Sequence, residues 1–189
     1  MYEPREDSFL LLESVKKYAK GNILDMGTGS GILAFEASKL NNVNLVVGID
    51  IDNNAIEYCK KKYKTIKNLY FLKSDLFKIF NKNNKKILKI KKINFDIIIF
   101  NPPYLPKEFM YPKFDDKAIF GGRKGYELIG RFLKDVKPYL NKKGYILLLF
   151  SSLTHKNKVD DLIKKNNFSC QQIDYLKLDF EELYVYLIK

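Results

Sequence analysis

Asn101-Pro102-Pro103-Tyr104 is a run of residues suited to holding an amino or amide nitrogen. The two prolines restrict the backbone, so the Pro102 carbonyl and the Asn101 side-chain carbonyl keep fixed directions. Two converging acceptors can grip both hydrogens of a planar NH2 group, while Tyr104 offers a face for that group to lie against. Such a nitrogen is a poor nucleophile because its lone pair is delocalised. Holding both hydrogens favours pyramidalisation and offsets the positive charge that grows on nitrogen as it attacks. Alignment with an electrophile can contribute on the order of 7–11 kcal/mol at best. The plainer reading of the same four residues is a strand-ending turn.

A second cluster of chemistry begins at Asp25-Met26-Gly27-Thr28-Gly29-Ser30-Gly31. Glycine at every second position lets the backbone turn tightly and lets a ligand approach with no Cβ in the way. The dinucleotide fingerprint requires a third glycine where Ile32 stands. Asp25, just before the first glycine, would repel a pyrophosphate but suits a cationic ligand. Asp50 lies about 20 residues after the turn, where a carboxylate accepts hydrogen bonds from a ribose diol. Asp75 could bond an adenine amino group, with the Leu76 amide nearby. Together these residues outline an adenosine site. Asp52 is a competing carboxylate placed on the surface.

The elements that position these groups follow from the apolar pattern. Helix-like spacing over Glu6–Tyr18 ends at Gly21. A strand at 22–26 runs into the glycine turn, followed by a helix at 32–39. A strand at 45–50, a helix at 53–63 with Asn53 as cap, and a strand at 69–72 come next. Phe95–Phe100 is a strongly apolar strand that stops at the prolines. Residues 105–125 form a long irregular loop, of the kind that often carries function. A helix at 126–139, a strand at 144–150, a helix at 155–166 and two final strands at 169–178 and 182–188 complete the chain. Alternating strands and helices indicate an α/β, doubly wound, Rossmann-like seven-stranded sheet, mostly parallel with one antiparallel strand near the C-terminal edge. Every motif falls at a strand's carboxyl end, where such sheets bind ligands.

Composition narrows the classes. The 189 residues are 46% hydrophobic and 30% charged, sized for one domain spanning 1–189, with a helical opening segment at 1–20. No apolar run reaches the ~20 residues that span a bilayer, and the polar, acidic opening is no secretory signal. These points lead to a cytoplasmic protein with no membrane partner. Cys59 and Cys170 are far apart and outside any metal-ligand spacing, so no metal is expected. With His155 the single histidine, mechanisms that need two are excluded. A capping or surface role is assigned to His155, and a packing role to Cys59. The net charge of +12 fits a nucleic-acid or acidic partner, or simply a lysine-rich genome. The densest basic run, NKNNKKILKIKK at 81–92, reads as a solvated loop or hairpin.

The pairing of the aspartate-led glycine turn with Asn101-Pro102-Pro103-Tyr104 resembles class I S-adenosylmethionine-dependent methyltransferases acting on nitrogen. More narrowly, Tyr2-Glu-Pro-Arg-Glu-Asp-Ser-Phe-Leu-Leu11 and Gly121-Gly-Arg-Lys-Gly125 followed by Glu127 resemble HemK-type protein-(glutamine-N5) methyltransferases. The resemblance implies S-adenosyl-L-methionine as cofactor. It implies that the target is the glutamine amide in the Gly-Gly-Gln motif of a peptide-chain release factor. It places Asp25 and Gly27 near the methionine part of the cofactor, with Thr28, Gly29 and Gly31 also binding the cofactor, and Ser8 over its amino-acid end. Asp50 would sit at the ribose and Asp75 with Leu76 at the adenine, and Ile51 is a further cofactor-binding residue. Asn101 adjoins the cofactor and, with Pro102, holds the glutamine amide; Tyr104 lines the pocket and Pro103 joins the substrate-binding residues. Arg123, in the long loop, either contacts the protein substrate or fixes that loop. Tyr111, Phe114 and Phe120 either line that groove or anchor its loop. Only about one helix precedes the first strand, as in the short archaeal and eukaryotic branch. Members of that branch work with a small zinc-binding activator protein that pairs with an edge strand, here the one from Leu69 to Leu72.

The same nitrogen grip would serve an exocyclic amine of tRNA, rRNA or DNA, with Tyr104 stacking on a flipped base, but the chain has no room for a separate target-recognition domain. Lysine methylation, known in the eukaryotic branch, is a further alternative. A binding module that has lost the reaction is the third; the intact turn and grip argue against it.

Overall fold

The computed structural model of the protein describes residues 3–81, 94–106 and 120–189. Tyr111, Phe114, the Phe120 side chain, most of the 81–92 run and most of the 105–125 loop lie outside the described residues. Among the described residues, seven strands form one sheet: β1 (Gly21–Met26), β2 (Val43–Asp50), β3 (Leu69–Lys73), β4 (Phe95–Phe100), β7 (Leu140–Ser151), β8 (Cys170–Lys177) and β9 (Glu182–Ile188). Their order is β3-β2-β1-β4-β7-β9-β8. The first five run parallel, and β9 is antiparallel to both β7 and β8. The antiparallel strand therefore sits one place in from the edge.

The central strands are apolar on consecutive residues because both faces of the sheet are covered. In β4, Ile97 and Ile99 enter one core layer, with Leu11, Val15, Ala34 and Ile56 from α1 (Glu6–Tyr18), α2 (Ile32–Ser38) and α3 (Asn53–Lys62). Ile98 and Phe100 enter the other, with Phe132 and Val159 from α4 (Glu127–Asp135) and α5 (Lys156–Lys165). No described helix is long and apolar enough to cross a membrane.

Several local expectations change. Helix α1 ends at Tyr18 with Ala19 as its C-cap, and Gly21 is the first residue of β1 with φ +66° rather than a helix stop. Asp52, not Asn53, caps α3: its carboxylate accepts from the Asn54 amide at 2.9 Å. The helix expected at 126–139 closes at Asp135 and continues as a 3₁₀ turn at Lys137–Tyr139, because Pro138 lacks the N–H that a longer α-helix would use. Residues at the two ends of the 105–125 loop are regular, not irregular. Leu105–Pro106 (β5) and Phe120–Gly122 (β6) pair as a short parallel ribbon. His155 stands at the N-cap of α5 with φ +57° but makes no side-chain cap bond.

Candidate active site

The strand order reverses between β1 and β4, which pair in parallel with Met26 opposite Phe100. Neighbouring strands lie about 4.8 Å apart. Gly27 and Asn101, the next residues along, thus leave the sheet side by side at its carboxyl end. Asp50 ends β2 one strand further on, and Ser74, following β3, donates its amide to the Asp50 carbonyl at 2.8 Å. The glycine turn, Asp50, Asp75 and the Asn-Pro-Pro-Tyr corner therefore line the ends of four adjacent strands.

Asp25, 1% exposed, is the anchor of the turn. Its carboxylate accepts from Thr28 Oγ1 at 2.6 Å and from the Ala34 amide in α2. Burial pushes its carboxyl up to about 6, partly countered by these two donors. Asp50 holds the other side of the turn, accepting the Gly29 amide through Oδ2 and the Asp52 amide through Oδ1, both at 2.9 Å. Ile51 beyond it is exposed. Helix α3 supports the turn from behind: Cys59 Sγ donates to the Gly29 carbonyl and Tyr63 Oη to the Ser30 carbonyl, each at 3.3 Å. Burial raises the Cys59 thiol to about 12, so it stays protonated and serves as a donor. The packing role expected of Cys59 holds, with this hydrogen bond added.

Asp75 is engaged in ion pairs. Lys78 lies 2.6 Å from Oδ2, and Arg131 of α4 lies 3.0 Å from Oδ1. The Lys78 hydrogen bond is the main cause of a carboxyl held below its ordinary range. Leu76 has φ +46°, a strained conformation for a branched side chain. Ser74 holds it there: Ser74 Oγ donates to the Leu76 carbonyl at 2.6 Å and accepts the Ile79 amide at 3.0 Å.

At the other corner, Asn101 Nδ2 donates to Asp7 Oδ2 at 3.0 Å across 94 positions of sequence. Asn101 Oδ1 is buried and has no hydrogen-bond partner among the described residues. Asp7 is itself buried, and its Oδ1 accepts the amide and hydroxyl of Ser8 at 2.6 and 3.2 Å. Pro102 is buried and Tyr104 is half-buried against the core. The Gly121–Gly125 segment supports this corner. A Cβ on Gly121 would stand 2.4 Å from the Pro103 carbonyl and 2.2 Å from that of Gly125, a closeness only glycine permits. Glu127 closes the segment by accepting the Lys124 amide at 2.9 Å. Arg123 lies exposed in that segment.

Three contributors were not legible as site residues: Asp7, Tyr63 and Arg131. Asp7 carried a usable signal. It stands four residues before Leu11 and eight before Val15, both fully buried, so a carboxylate occupies the apolar stripe of α1.

The arrangement fits a ligand with an adenosine part and a cationic part. A Cβ on Gly27 would meet one atom, Phe100 Cε2 at 3.9 Å, so the face of the turn is open. Residues 6–176 match the methyltransferase small domain family. A candidate protein N5-glutamine methyltransferase of Methanocaldococcus jannaschii is 34% identical over 98% of this chain and 89% of its own length. The release factor glutamine methyltransferase of Buchnera aphidicola is 34% identical over 87% of the chain, which spans 59% of that protein. The E. cuniculi Mtq2–Trm112 complex, responsible for methylation of the eRF1 translation termination factor, shares the fold. Its TM-score is 0.72 at 23% identity, over 100% of this chain and 97% of that one. Two corners meeting at the reversal of the sheet are what nitrogen methylation from S-adenosyl-L-methionine needs, and the chain belongs to the methyltransferase small domain family, among its HemK-type protein-(glutamine-N5) methyltransferases.

Proposed function

We propose that the protein is a cytoplasmic enzyme that methylates the side-chain amide of the glutamine in the Gly-Gly-Gln motif of a peptide-chain release factor. The observation that carries this reading is the buried Asn101 Oδ1, without a hydrogen-bond partner among the described residues, beside the open glycine turn. With the Pro102 carbonyl it forms the pair of acceptors that an amide NH2 requires, and Tyr104 supplies the wall of the pocket. The names of the Buchnera and archaeal relatives point to the same amide. One catalytic domain over 1–189 carries the reaction, with 105–125 as the substrate-side loop and Arg123 facing the protein substrate.

S-adenosyl-L-methionine supplies an electrophilic methyl group on a sulfonium. Asp25, Gly27, Thr28, Gly29 and Gly31 hold its methionine part, and Ser8 covers the amino-acid end. Asp50 and Ile51 hold the ribose, and Asp75 and Leu76 the adenine, where the Asp75 oxygens keep lone pairs beyond those used by Lys78 and Arg131. The nitrogen acquires positive charge as it attacks, becomes acidic and gives its proton to water, so no side-chain base is required.

Strand β3 is the outer strand of the sheet, with Tyr70 exposed along it. An edge with no strand neighbour among the described residues can accept a partner strand. We place the small zinc-binding activator there, between Leu69 and Leu72; the chain shares its fold with a protein solved in a Mtq2–Trm112 complex.

Incubation with methyl-labelled cofactor and the host release factor, with and without candidate activators, tests the reading. Label on the Gly-Gly-Gln glutamine is the expected result. Label only on lysine, or only on tRNA or DNA offered in parallel, would overturn it.

The Asp25 role predicts a pH dependence. Its carboxyl titrates at about 6 in the folded chain against an ordinary 3.8. Between these values the folded chain binds the extra proton, so this group makes stability fall as pH rises through about 4 to 6, by on the order of 3 kcal/mol. A cation placed beside Asp25 favours the ionised form and expels that proton. Cofactor affinity is therefore expected to rise roughly tenfold from pH 5 to pH 7. Calorimetry at pH 5.5 in two buffers of different ionisation enthalpy should show proton release on binding, and Asp25→Asn should abolish it. Equal affinity at both pH values would remove Asp25 from the cofactor site.

A further inference from the structure

We infer that Asp7 is a positioning residue for the methyl transfer: it fixes which end of the Asn101 amide meets the substrate. The inference rests on the proposed nitrogen grip and adds a residue to it. A primary amide has two orientations, related by a half-turn, that exchange a donor for an acceptor. The Asp7 carboxylate oxygen facing it at 3.0 Å accepts a hydrogen bond from Nδ2. In the opposite orientation two oxygens would face one another in a buried site, with the loss of a hydrogen bond to a charged group. Asp7 therefore turns Nδ2 toward itself and Oδ1 away. Oδ1 is the buried atom that has no partner among the described residues, and it is the acceptor that a substrate N–H needs. Without this constraint, the asparagine could present an N–H to a substrate N–H and the grip would fail.

Asp7 is held in turn. Ser8 donates twice to its other oxygen, through the amide at 2.6 Å and the hydroxyl at 3.2 Å. Leu11 and Val15, at four-residue steps along the same stripe of α1, are fully buried. The chain Leu11/Val15, Asp7, Asn101 thus ties the orientation of a catalytic side chain to the seating of α1 on the sheet. It also places Ser8, assigned above to the cofactor, on the same carboxylate, so both halves of the site depend on one helix start.

The test is a double-mutant cycle on the full chain with the release factor. Asp7→Leu, close in size but with no acceptor, is expected to lower kcat about 10–100-fold, the scale of a misaligned group. KM for the release factor should change less than about threefold, whereas cofactor affinity falls because Ser8 loses its acceptor, so kcat is read at saturating cofactor. Asp7→Asn can still accept from Nδ2 and should keep more activity than Asp7→Leu. In an Asn101→Ala background, Asp7→Leu should cause no further loss, because the group it positions is gone. An equal loss in both backgrounds, or wild-type kcat for Asp7→Leu, would overturn the inference. A readout independent of substrate is the Asn101 side-chain amide in an NMR spectrum: protected from exchange in the wild type, unprotected in both Asp7→Leu and Asp7→Ala. Unchanged protection would also overturn the inference. Absence of release-factor labelling by the wild type would instead count against the proposed function, and the NMR comparison would still decide the Asp7 contact.

Discussion

Asn101→Ala is expected to bind S-adenosyl-L-methionine within about twofold of the wild type while its kcat on the release factor falls by roughly 10²–10³. The size follows from what the side chain does. Its Oδ1 is an acceptor already stripped of water, so no solvent need be displaced when a substrate N–H arrives, and its dipole opposes charge that develops only as nitrogen attacks. Interactions stronger in the transition state than in the ground state lower kcat when removed. The residue lies at the end of β4 rather than in the glycine turn, so the donors around Asp50 and Asp25 keep their places. The variant also leaves Asp7 without its Asn101 donor, although Ser8 still donates twice to that carboxylate. Calorimetric affinity together with single-turnover labelling separates the two effects. Wild-type turnover would remove Asn101 from the chemistry, and a cofactor affinity that fell in step with kcat would show that its role is binding.

The second large effect is expected at Gly31. Alanine there would adopt φ +77°, at a cost of about 1–2 kcal/mol for an L-residue, and its Cβ would stand 2.8 Å from Tyr63 Cε2 and 2.9 Å from Cys59 Sγ. Neither neighbour can retreat freely. The Tyr63 ring is stacked between Phe35 and Phe71, with centroids 4.7 and 5.8 Å away, and Cys59 bonds the Gly29 carbonyl. Overpacking of this kind adds about 1–3 kcal/mol. Gly31→Ala should therefore lose roughly 2–5 kcal/mol of stability, and any chain that remains folded should bind cofactor at least tenfold more weakly, because relief of the clash moves the turn. Urea unfolding and calorimetry check both; an unchanged midpoint with unchanged affinity would mean that the turn is not held by α3.

What could be read from the sequence was whatever is encoded locally. The Phe95–Phe100 strand was legible because six residues suited to a two-sided core end abruptly at two prolines. Its position beside β1 was not, because motifs lie at strand ends whatever the order of the strands, and only the observed pairing fixes it. The α3 cap was misplaced by one residue because aspartate and asparagine are both good caps, and only the observed bond to the Asn54 amide separates them. Contacts between distant parts of the chain were not legible. Leu105–Pro106 pairs with Phe120–Gly122, yet two- and three-residue strands containing proline and glycine carry no alternation to read. The Asp75–Arg131 pair joins positions 56 apart. Asp7 lies within the Tyr2–Leu11 motif, but its role is not readable there, since its partner is fixed only once α1 lies against the end of β4. The site's residue types were therefore readable, and the second carboxylate that orients one of them was not.

The placement of β9 between β7 and β8 bears on how the protein is made. Among the described residues β8 has β9 as its sole strand neighbour, and β9 follows it in the chain. Until β9 is synthesised, β8 has no edge to join and the apolar flank of β7 lacks its cover. Closure of the sheet on that side thus waits on β9, whereas β1 to β4 all precede it in the chain and can pair first.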